Sequence, residues 1–331
     1  VDLRECLPPE VTAALQAGLE EKAQGALQLL AELVETQRGF IRGPAVQQTV
    51  QLGMQVATAA ALSDSTRRAG MELVLALCEA RAATAKRVPG FVGALVETLL
   101  GWLCLVSKCE GWERFQDMED DTLAAYAQEA LDRVCLALHG KTVVPELFGR
   151  ANVMLASSDW RARFAVMTAI TMCTEGCRTA LAQHEEAVAT AVCRTCADAD
   201  PVVRWAAVNC LGQLCTDFKD TLVRDHGELV CQTLVAAMAD PVARVAARGA
   251  VCITNFCVAE PDDVLKYFPR LLEAGGISLH FQADPNSKDG DKILKVLLND
   301  ASSKGYDQIE LPSPYKAGAW HKVVFAIDPA A

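Results

Sequence analysis

Asp159-Trp160-Arg161-Ala162-Arg163-Phe164-Ala165, Asp200-Pro201-Val202-Val203-Arg204-Trp205-Ala206 and Asp240-Pro241-Val242-Ala243-Arg244-Val245-Ala246 are three versions of one phrase, set 41 and then 40 residues apart. Each has an acid, an Arg four residues on, an Ala two beyond that, and then an apolar stripe at helical spacing such as Val208, Leu211, Leu214 and Cys215. Asp64 and Arg68 repeat the pair ahead of Leu73, Val74 and Leu77, and a weaker copy starts near Glu21 with Ala26, Leu27, Leu30 and Leu33. The spacing has a direct physical reading. An Asp or Asp-Pro opens a helix, because the carboxylate accepts from free N–H groups of the first turn and Pro is tolerated there. The small Ala lets a neighbouring helix approach closely. The Arg reaches the Asp of its own or an adjacent unit, so stacked units are expected to form an Asp–Arg ladder.

Another amphipathic helix precedes each of these acids, at 143–156, 185–197 and 228–239. Helix pairs repeating every 40 residues or so are the signature of a HEAT-type α-solenoid. The predicted fold is therefore all-α, a right-handed α-α superhelix of about six and a half HEAT repeats over residues 1–274. Helix pairs are expected at 10–37, 44–84, 88–139, 141–177, 184–217 and 226–257, with a further first helix at 261–274. The third pair is interrupted by residues 108–121, whose Glu110, Glu113, Asp117, Glu119, Asp120 and Asp121 predict an exposed acidic loop. After Gly275-Gly276 the pattern changes. Residues 277–281 alternate like a strand, Asp284-Pro285-Asn286 and Lys288-Asp289-Gly290 are turn signals, and 293–298 and 321–327 read as further strands. Residues 275–331 are thus a β-rich segment, and all fourteen Cys lie ahead of it.

Of the 331 residues, 31 are basic and 42 acidic, a net charge of −11 that points to basic partners and away from direct nucleic-acid binding. Cys placed inside Ala/Val/Leu-rich segments reads as a small buried hydrophobe in a reducing compartment. The chain opens with Val-Asp-Leu-Arg, without a secretory signal, and the missing Met suggests part of a longer protein. Charged residues interrupt every long apolar run, so no membrane insertion is expected. No enzyme is expected either. Gly140-Lys141-Thr142 would end a phosphate loop only if a Gly stood where Cys135 stands, and His139, His184, His226, His280 and His321 form no nucleophile arrangement in sequence. Cys173 and Cys177, followed by Cys193 and Cys196, overlap zinc spacings, but Cys at helix positions is read here as packing, so neither metal nor cofactor is assigned.

Polar residues near the ends of the second helices follow the repeat: Asp132, Glu175, Asp217 and Asn255, at intervals of 43, 42 and 38. Second helices line the concave face of a curved solenoid, so these groups predict an acidic and amide row able to meet Lys or Arg side chains of an extended peptide. Gln213, one turn before Asp217, shares that face. The plainer alternative is a set of solvated helix ends, although negative charge at a helix C-terminus is mildly unfavourable.

Three stretches carry a resemblance: Ala130-Leu131-Asp132-Arg133 leading to Gly140-Lys141 and Val144-Pro145; Asp159-Trp160-Arg161 leading to Glu175-Gly176-Cys177; and residues 203–209 leading to Gly212-Gln213 and Thr216-Asp217-Phe218. Residues 250–256 continue it. Over about residues 1–273 the chain resembles the karyopherin-beta nuclear transport receptors of the importin-five class. The resemblance implies import of cargo through the nuclear pore between cytoplasm and nucleus, with basic cargo proteins, the Ran GTPase and nucleoporins as partners and release by Ran-GTP. It maps cargo-contacting groups onto Asp132, Glu175, Asp217 and Asn255, and an acidic contact onto Gln213, which is uncharged here. It also implies a segment from the middle of a receptor of about twenty repeats, and makes 108–121 a shorter form of an acidic insertion. Residues 277–331 resemble part of a galectin β-sandwich, with Leu279-His280-Phe281-Gln282 on one strand and Ala317-Gly318 to Ile327-Asp328 on the next, which implies sugar binding. The residues alone leave open a different class of function, a HEAT-repeat scaffold or regulatory subunit that recognises folded partners.

Overall fold

The computed structural model describes residues 3–37, 39–114, 122–257, 261–274, 277–283, 292–299 and 306–315. They divide into two compact units, Val1–Asp263 and Val264–Ala331.

The first unit is a stack of helix pairs. In chain order its helices are α1 (Leu3–Gln16), α2 (Glu20–Thr36), α3 (Pro44–Thr58), α4 (Asp64–Ala85), α5 (Phe91–Leu103), α6 (Leu123–Leu138), α7 (Gly140–Leu155), α8 (Trp160–Cys173), the single turn α9 (Arg178–Leu181), α10 (Glu185–Thr195), α11 (Pro201–Asp217), α12 (Lys219–Met238) and α13 (Ala243–Phe256). The second helices α2, α4, α6, α8, α11 and α13 pack side by side in that order, and α5 against α7 and α10 against α12 belong to the facing layer. The core lies between the layers. α8 and α11 bury apolar side chains almost all round, including Ala165, Val166, Ile170, Val203, Ala207 and Leu211, because each is flanked by a second helix on both sides and a first helix behind. Among the described residues no helix is long and apolar enough to cross a membrane.

The starts of the second helices show the repeat phrase at work. The Asp159 carboxylate accepts from Arg161 N–H, Asp200 from Val202 N–H and Asp240 from Val242 N–H. In the earlier unit Ser63, not Asp64, caps the helix, its hydroxyl accepting from Thr66 N–H. A ladder forms between units, with the acid of the next phrase at Arg204 but, at Arg163, with Asp198, two residues ahead of the next phrase's Asp200. Arg163 donates through Nε and Nη2 to Asp198 at 2.7 and 2.8 Å, and Arg204 in the same way to Asp240 at 2.6 and 3.0 Å. Arg163 thus bypasses the acid of its own phrase, Asp159, which is occupied in capping. The third Arg leaves the ladder: Arg244 donates to the carbonyl of Trp112 at 3.1 Å and stacks over Trp112 and Trp205.

Within the acidic loop expected at 108–121, Glu110 and Glu113 are exposed as read, and Trp112 is the departure. It begins a short 3-10 turn, Trp112–Arg114, is 1% exposed, and meets Trp205 edge to face with ring centroids 6.2 Å apart. The charged side chains stay in solvent while one large indole folds the first part of the insertion back onto α11 and α13. Residues 115–121 lie outside the described residues.

The second unit opens with Leu265–Tyr267 and α15 (Phe268–Ala274), which follow α14 (Pro261–Val264), and continues into a three-stranded antiparallel sheet. Its strands are β1 (Ile277–Ala283), β2 (Lys292–Asn299) and β3 (Tyr306–Tyr315), in the order β1-β2-β3. Ile277 is opposite Leu298, and Leu298 opposite Asp307. β3 has no counterpart in the sequence reading, since Pro312 and Pro314 argue against a strand. It occupies the sheet edge, and its register breaks between Leu311 and Tyr315, the interval that holds both prolines. The expected strand at 321–327, the turns at 284–290 and the galectin-like stretch from Ala317 to Asp328 lie outside the described residues.

Candidate peptide-binding face

The side-by-side packing of α6, α8, α11 and α13 puts Asp132, Glu175, Asp217 and Asn255 on successive elements of one layer. Asp132 lies in the last two turns of α6, and Glu175 just past the end of α8. Asp132 is half-buried and Glu175 exposed, and among the described residues neither has an ion-pair partner. Burial, together with the negative charge of Glu175, raises the Asp132 carboxyl above its ordinary value. A pair of acids held close enough to feel each other, with no cation between them, is an electrostatically unsatisfied arrangement that a Lys or Arg from outside would relieve.

The neighbouring acids of α4 are already occupied. Arg133 clamps α6 to α4, donating to Glu79 through Nε at 2.7 Å and to Glu72 through Nη1 at 2.9 Å, while Tyr126 Oη donates to Glu72 at 2.6 Å. Adjacent residues of one helix therefore have opposite roles, Arg133 tying repeats together and Asp132 staying open.

Further along, Gln213 donates from Nε2 to the Asp217 carboxylate at 2.9 Å across one turn of α11, so these two act as one polar group. Asn255 is committed differently. Its Nδ2 donates to the carbonyl of Gly212 at 3.1 Å and joins α13 to α11, leaving its carbonyl oxygen as the available half. The row is thus strongest at Asp132 and Glu175, and becomes more polar than ionic toward Asn255.

The sequence reading overlooked the other part of this face. One to about three turns before the row, Gln128, Phe164, Thr168, Met172, Trp205 and Asn209 line a groove with a volume of about 260 Å³, bounded also by Arg244. Its polar members continue into the row at helical spacing, Gln128 to Asp132 and Asn209 to Gln213 to Asp217. The signal available in sequence was Trp205 and Asn209 at the same offset from each other as Asn209 and Gln213.

Beneath Asp132 and Glu175 lie three thiols, Cys135, Cys173 and Cys177. Hydrogen bonding to Cys173 and Cys177, along with burial, pushes the Cys135 thiol up. Cys177 moves the other way: hydrogen bonds from Cys135 and Cys173, with the nearby His139 imidazole, pull it down despite burial.

With this geometry in place, comparison with known proteins points in one direction. The importin repeat family matches residues 59–145. Importin subunit beta-3 of Saccharomyces cerevisiae is 27% identical over 266 residues, 78% of this chain and 24% of the relative. The solved structure of Kap121p bound to Pho4p superimposes with a TM-score of 0.74 at 26% identity, covering 80% of this chain and 26% of Kap121p. Kap121p bound to RanGTP gives a TM-score of 0.73 at 26% identity, covering 80% and 27%. The chain spans about a quarter of the length of these relatives. In sequence and in fold, its helical part is similar to a segment of a karyopherin-beta of the importin-five class.

Proposed function

We propose that this chain is a cargo-binding stretch of a nuclear import receptor. In this reading the face built by α6, α8, α11 and α13 receives the basic localisation signal of a cargo protein in the cytoplasm, and Ran-GTP releases the cargo in the nucleus. The contacts fall to Asp132, Glu175 and the Gln213–Asp217 pair, with the Asn255 carbonyl at the end of the row. Charge-assisted hydrogen bonds from Lys or Arg of an extended peptide supply the affinity, and the −11 net charge of the chain supplies the attraction at longer range.

The observation that carries the reading is the acidic row itself, without an ion-pair partner at Asp132 and Glu175 among the described residues and repeated on consecutively packed helices. A solved variant of Kap121p has an Asp, a Glu and an Asp, 43 and 42 residues apart, all replaced by Lys. Asp132, Glu175 and Asp217 stand here in the same order and at the same intervals. Kap121p is also solved with Pho4p, Ste12p, the extreme C-terminus of Cdc14p, Ulp1p, Nup53p and RanGTP, which supports cargo, nucleoporin and Ran as partner classes. We read the helical domain as residues 1–274 with right-handed stacking and 275–331 as a β-rich segment; the antiparallel pairing of β1, β2 and β3 supports the latter, while the division into compact units at Asp263 groups α15 with the sheet.

The test is titration of the full chain with a fluorescent Lys-rich localisation peptide at two salt concentrations. Expected is saturable binding that weakens with salt, and a loss of about a hundredfold or more in D132A/E175A/D217A, at about 1 kcal/mol or more per charged contact. Unchanged affinity in the triple variant would refute the assignment.

A further inference from the structure

Cys135 on α6, Cys173 at the end of α8 and Cys177 four residues later converge on one point. All three are buried, at 0%, 0% and 1% exposure, and their Sγ atoms lie within 4.8 Å of one another, Cys135 and Cys173 at 3.2 Å. The backbone is shaped to permit this. A Cβ at Gly176 would lie 2.7 Å from the carbonyl carbon of Cys135, and one at Gly140 would lie 3.1 Å from Cys177 Cα and 2.6 Å from Ala180 Cβ. Two glycines therefore let the turn after α8 settle onto the end of α6. At the α6–α7 corner, just before Gly140, His139 has φ 62 and ψ 157, and it is the one non-glycine residue with positive φ among the described residues. That region of backbone space is essentially reserved for glycine, and a bulky residue held in it marks a corner whose geometry the surroundings dictate.

Packing explains buried thiols such as Cys210 and Cys215 on α11 and Cys252 on α13, which are near enough to feel one another without converging on one point. It does not predict three ligand atoms on one point, and among the described residues Cys135, Cys173 and Cys177 form the one such group. The spacing in sequence pairs Cys173 and Cys177 with Cys193 and Cys196, whereas the structure supplies Cys135 instead, 38 residues upstream of Cys173.

We propose that Cys135, Cys173 and Cys177 are a binding site for a thiophilic divalent ion of the Zn2+ type, held by three thiolates with water in the fourth position on the His139 side. With Zn–S bonds of about 2.3 Å, the sulfurs of a tetrahedral site stand about 3.8 Å apart, so the three atoms need shift by no more than about 1 Å. As the ion binds, each thiol still protonated passes its proton to solvent, two or three protons per ion because the Cys177 thiol is already pulled down, and the site carries a net charge of −1. Soft sulfur ligands in a buried setting select such ions over Mg2+ or Ca2+. The bound ion would pin α6 to the turn that follows α8. Cys135 is one turn from Asp132, and Cys177 is two residues from Glu175, so the pin would also fix the spacing of those two carboxylates. The metal site itself does not depend on the peptide-binding reading.

The experiment uses the full chain, reduced and metal-free, titrated with Cd2+ as a probe, because its thiolate complexes absorb in the ultraviolet. Expected is a band that saturates at one ion per chain, displaced by Zn2+, with two to three protons released per ion when calorimetry is run in buffers of different ionisation enthalpy. C135S, C173S and C177S should each weaken binding about tenfold or more, while C104S and C257S leave it unchanged. Zn2+ at a hundredfold excess over its Kd should raise the unfolding midpoint by roughly 5 °C. A folded wild-type chain without a saturable one-to-one band, or with one or no proton released per ion, overturns the proposal. So does a band of unchanged affinity in a folded C135S/C173S/C177S chain. Proton counting needs no variant, so it decides the matter even where a Ser substitution fails to fold.

Discussion

Truncating one rung of the inter-repeat ladder tests how the repeats are held together. Asp198 accepts from Arg163 Nε and Nη2 at 2.7 and 2.8 Å and from its own neighbour Asp200 N–H at 2.8 Å, with side chains only 11% and 16% exposed for Asp198 and Arg163. Asp198→Ala strands two guanidinium donors. Breaking a buried ion pair from one side costs about 3–5 kcal/mol. Here Arg163 Nη1 keeps the carbonyls of Ser157 and Ser158, and the small exposure admits some water, so about 2–3 kcal/mol is expected. Arg163→Met leaves a carboxylate that still holds Asp200 N–H and should cost about 2 kcal/mol. The double variant removes both charges and should cost only about 1–2 kcal/mol, which gives a coupling of about 2 kcal/mol or more. The assay is guanidinium unfolding followed by far-ultraviolet circular dichroism, with hydrogen exchange of α8 and α11 amides as a local readout. The rung also has a pH signature. Burial opposes the Asp198 charge, but Arg163 and the Asp200 N–H outweigh it and hold its pKa below the ordinary value. Its stabilisation is therefore fully present above the unfolded value of about 3.9 and is lost as pH falls through the lower folded value. Asp198→Ala should lack that acid limb. Single-variant costs that add to within about 0.5 kcal/mol of the double would refute the rung as a coupled unit.

Three further outcomes follow from particular contacts. Asp132 has a raised pKa, so its charge opposes folding at neutral pH and the penalty is relieved as pH falls through the folded value. Asp132→Asn should raise the unfolding midpoint slightly while weakening the basic peptide about tenfold, and a drop in both would contradict this. Trp112→Ala should destabilise by about 3 kcal/mol and speed amide exchange in α13, because it empties the site against Trp205 and removes the ring under Arg244; unchanged exchange would mean that the insertion does not brace that helix. Gly176→Ala places a methyl 2.7 Å from the carbonyl carbon of Cys135 and 2.8 Å from Leu136 N, backbone atoms that cannot rotate away. A loss of about 1–3 kcal/mol by denaturant unfolding is expected, and a neutral result would show that the α6–α8 junction is looser than drawn.

Much of the helical architecture was legible in the chain because it repeats. Asp159, Asp200 and Asp240 cap or precede their helices as their chemistry dictates, Ala165 and Ala206 are buried where neighbours close in, and the period alone sets the pairing of helices. The candidate row was legible for the same reason, since Asp132, Glu175 and Asp217 recur with the repeat. Local pattern could not say which partner each side chain takes. Ser63 outcompetes Asp64 for a cap because its hydroxyl reaches Thr66 N–H, and Asn255 is drawn into holding Gly212 because that carbonyl lies across a helix contact.

What the sequence determined by itself was periodic information: helix pairs of about 40 residues, the acids that open them, and the polar positions that return at each turn of the array. What tertiary structure decided was convergence across long separations. Trp112 meets Arg244, 132 residues away, and Cys135 meets Cys173 and Cys177 across a helix pair. Periodicity reports the face of its own helix on which a residue lies, because backbone geometry fixes that locally. Which residues of different helices touch depends on the close approach allowed at Gly140 and Gly176 and on where one buried indole finds room, and no local pattern encodes either.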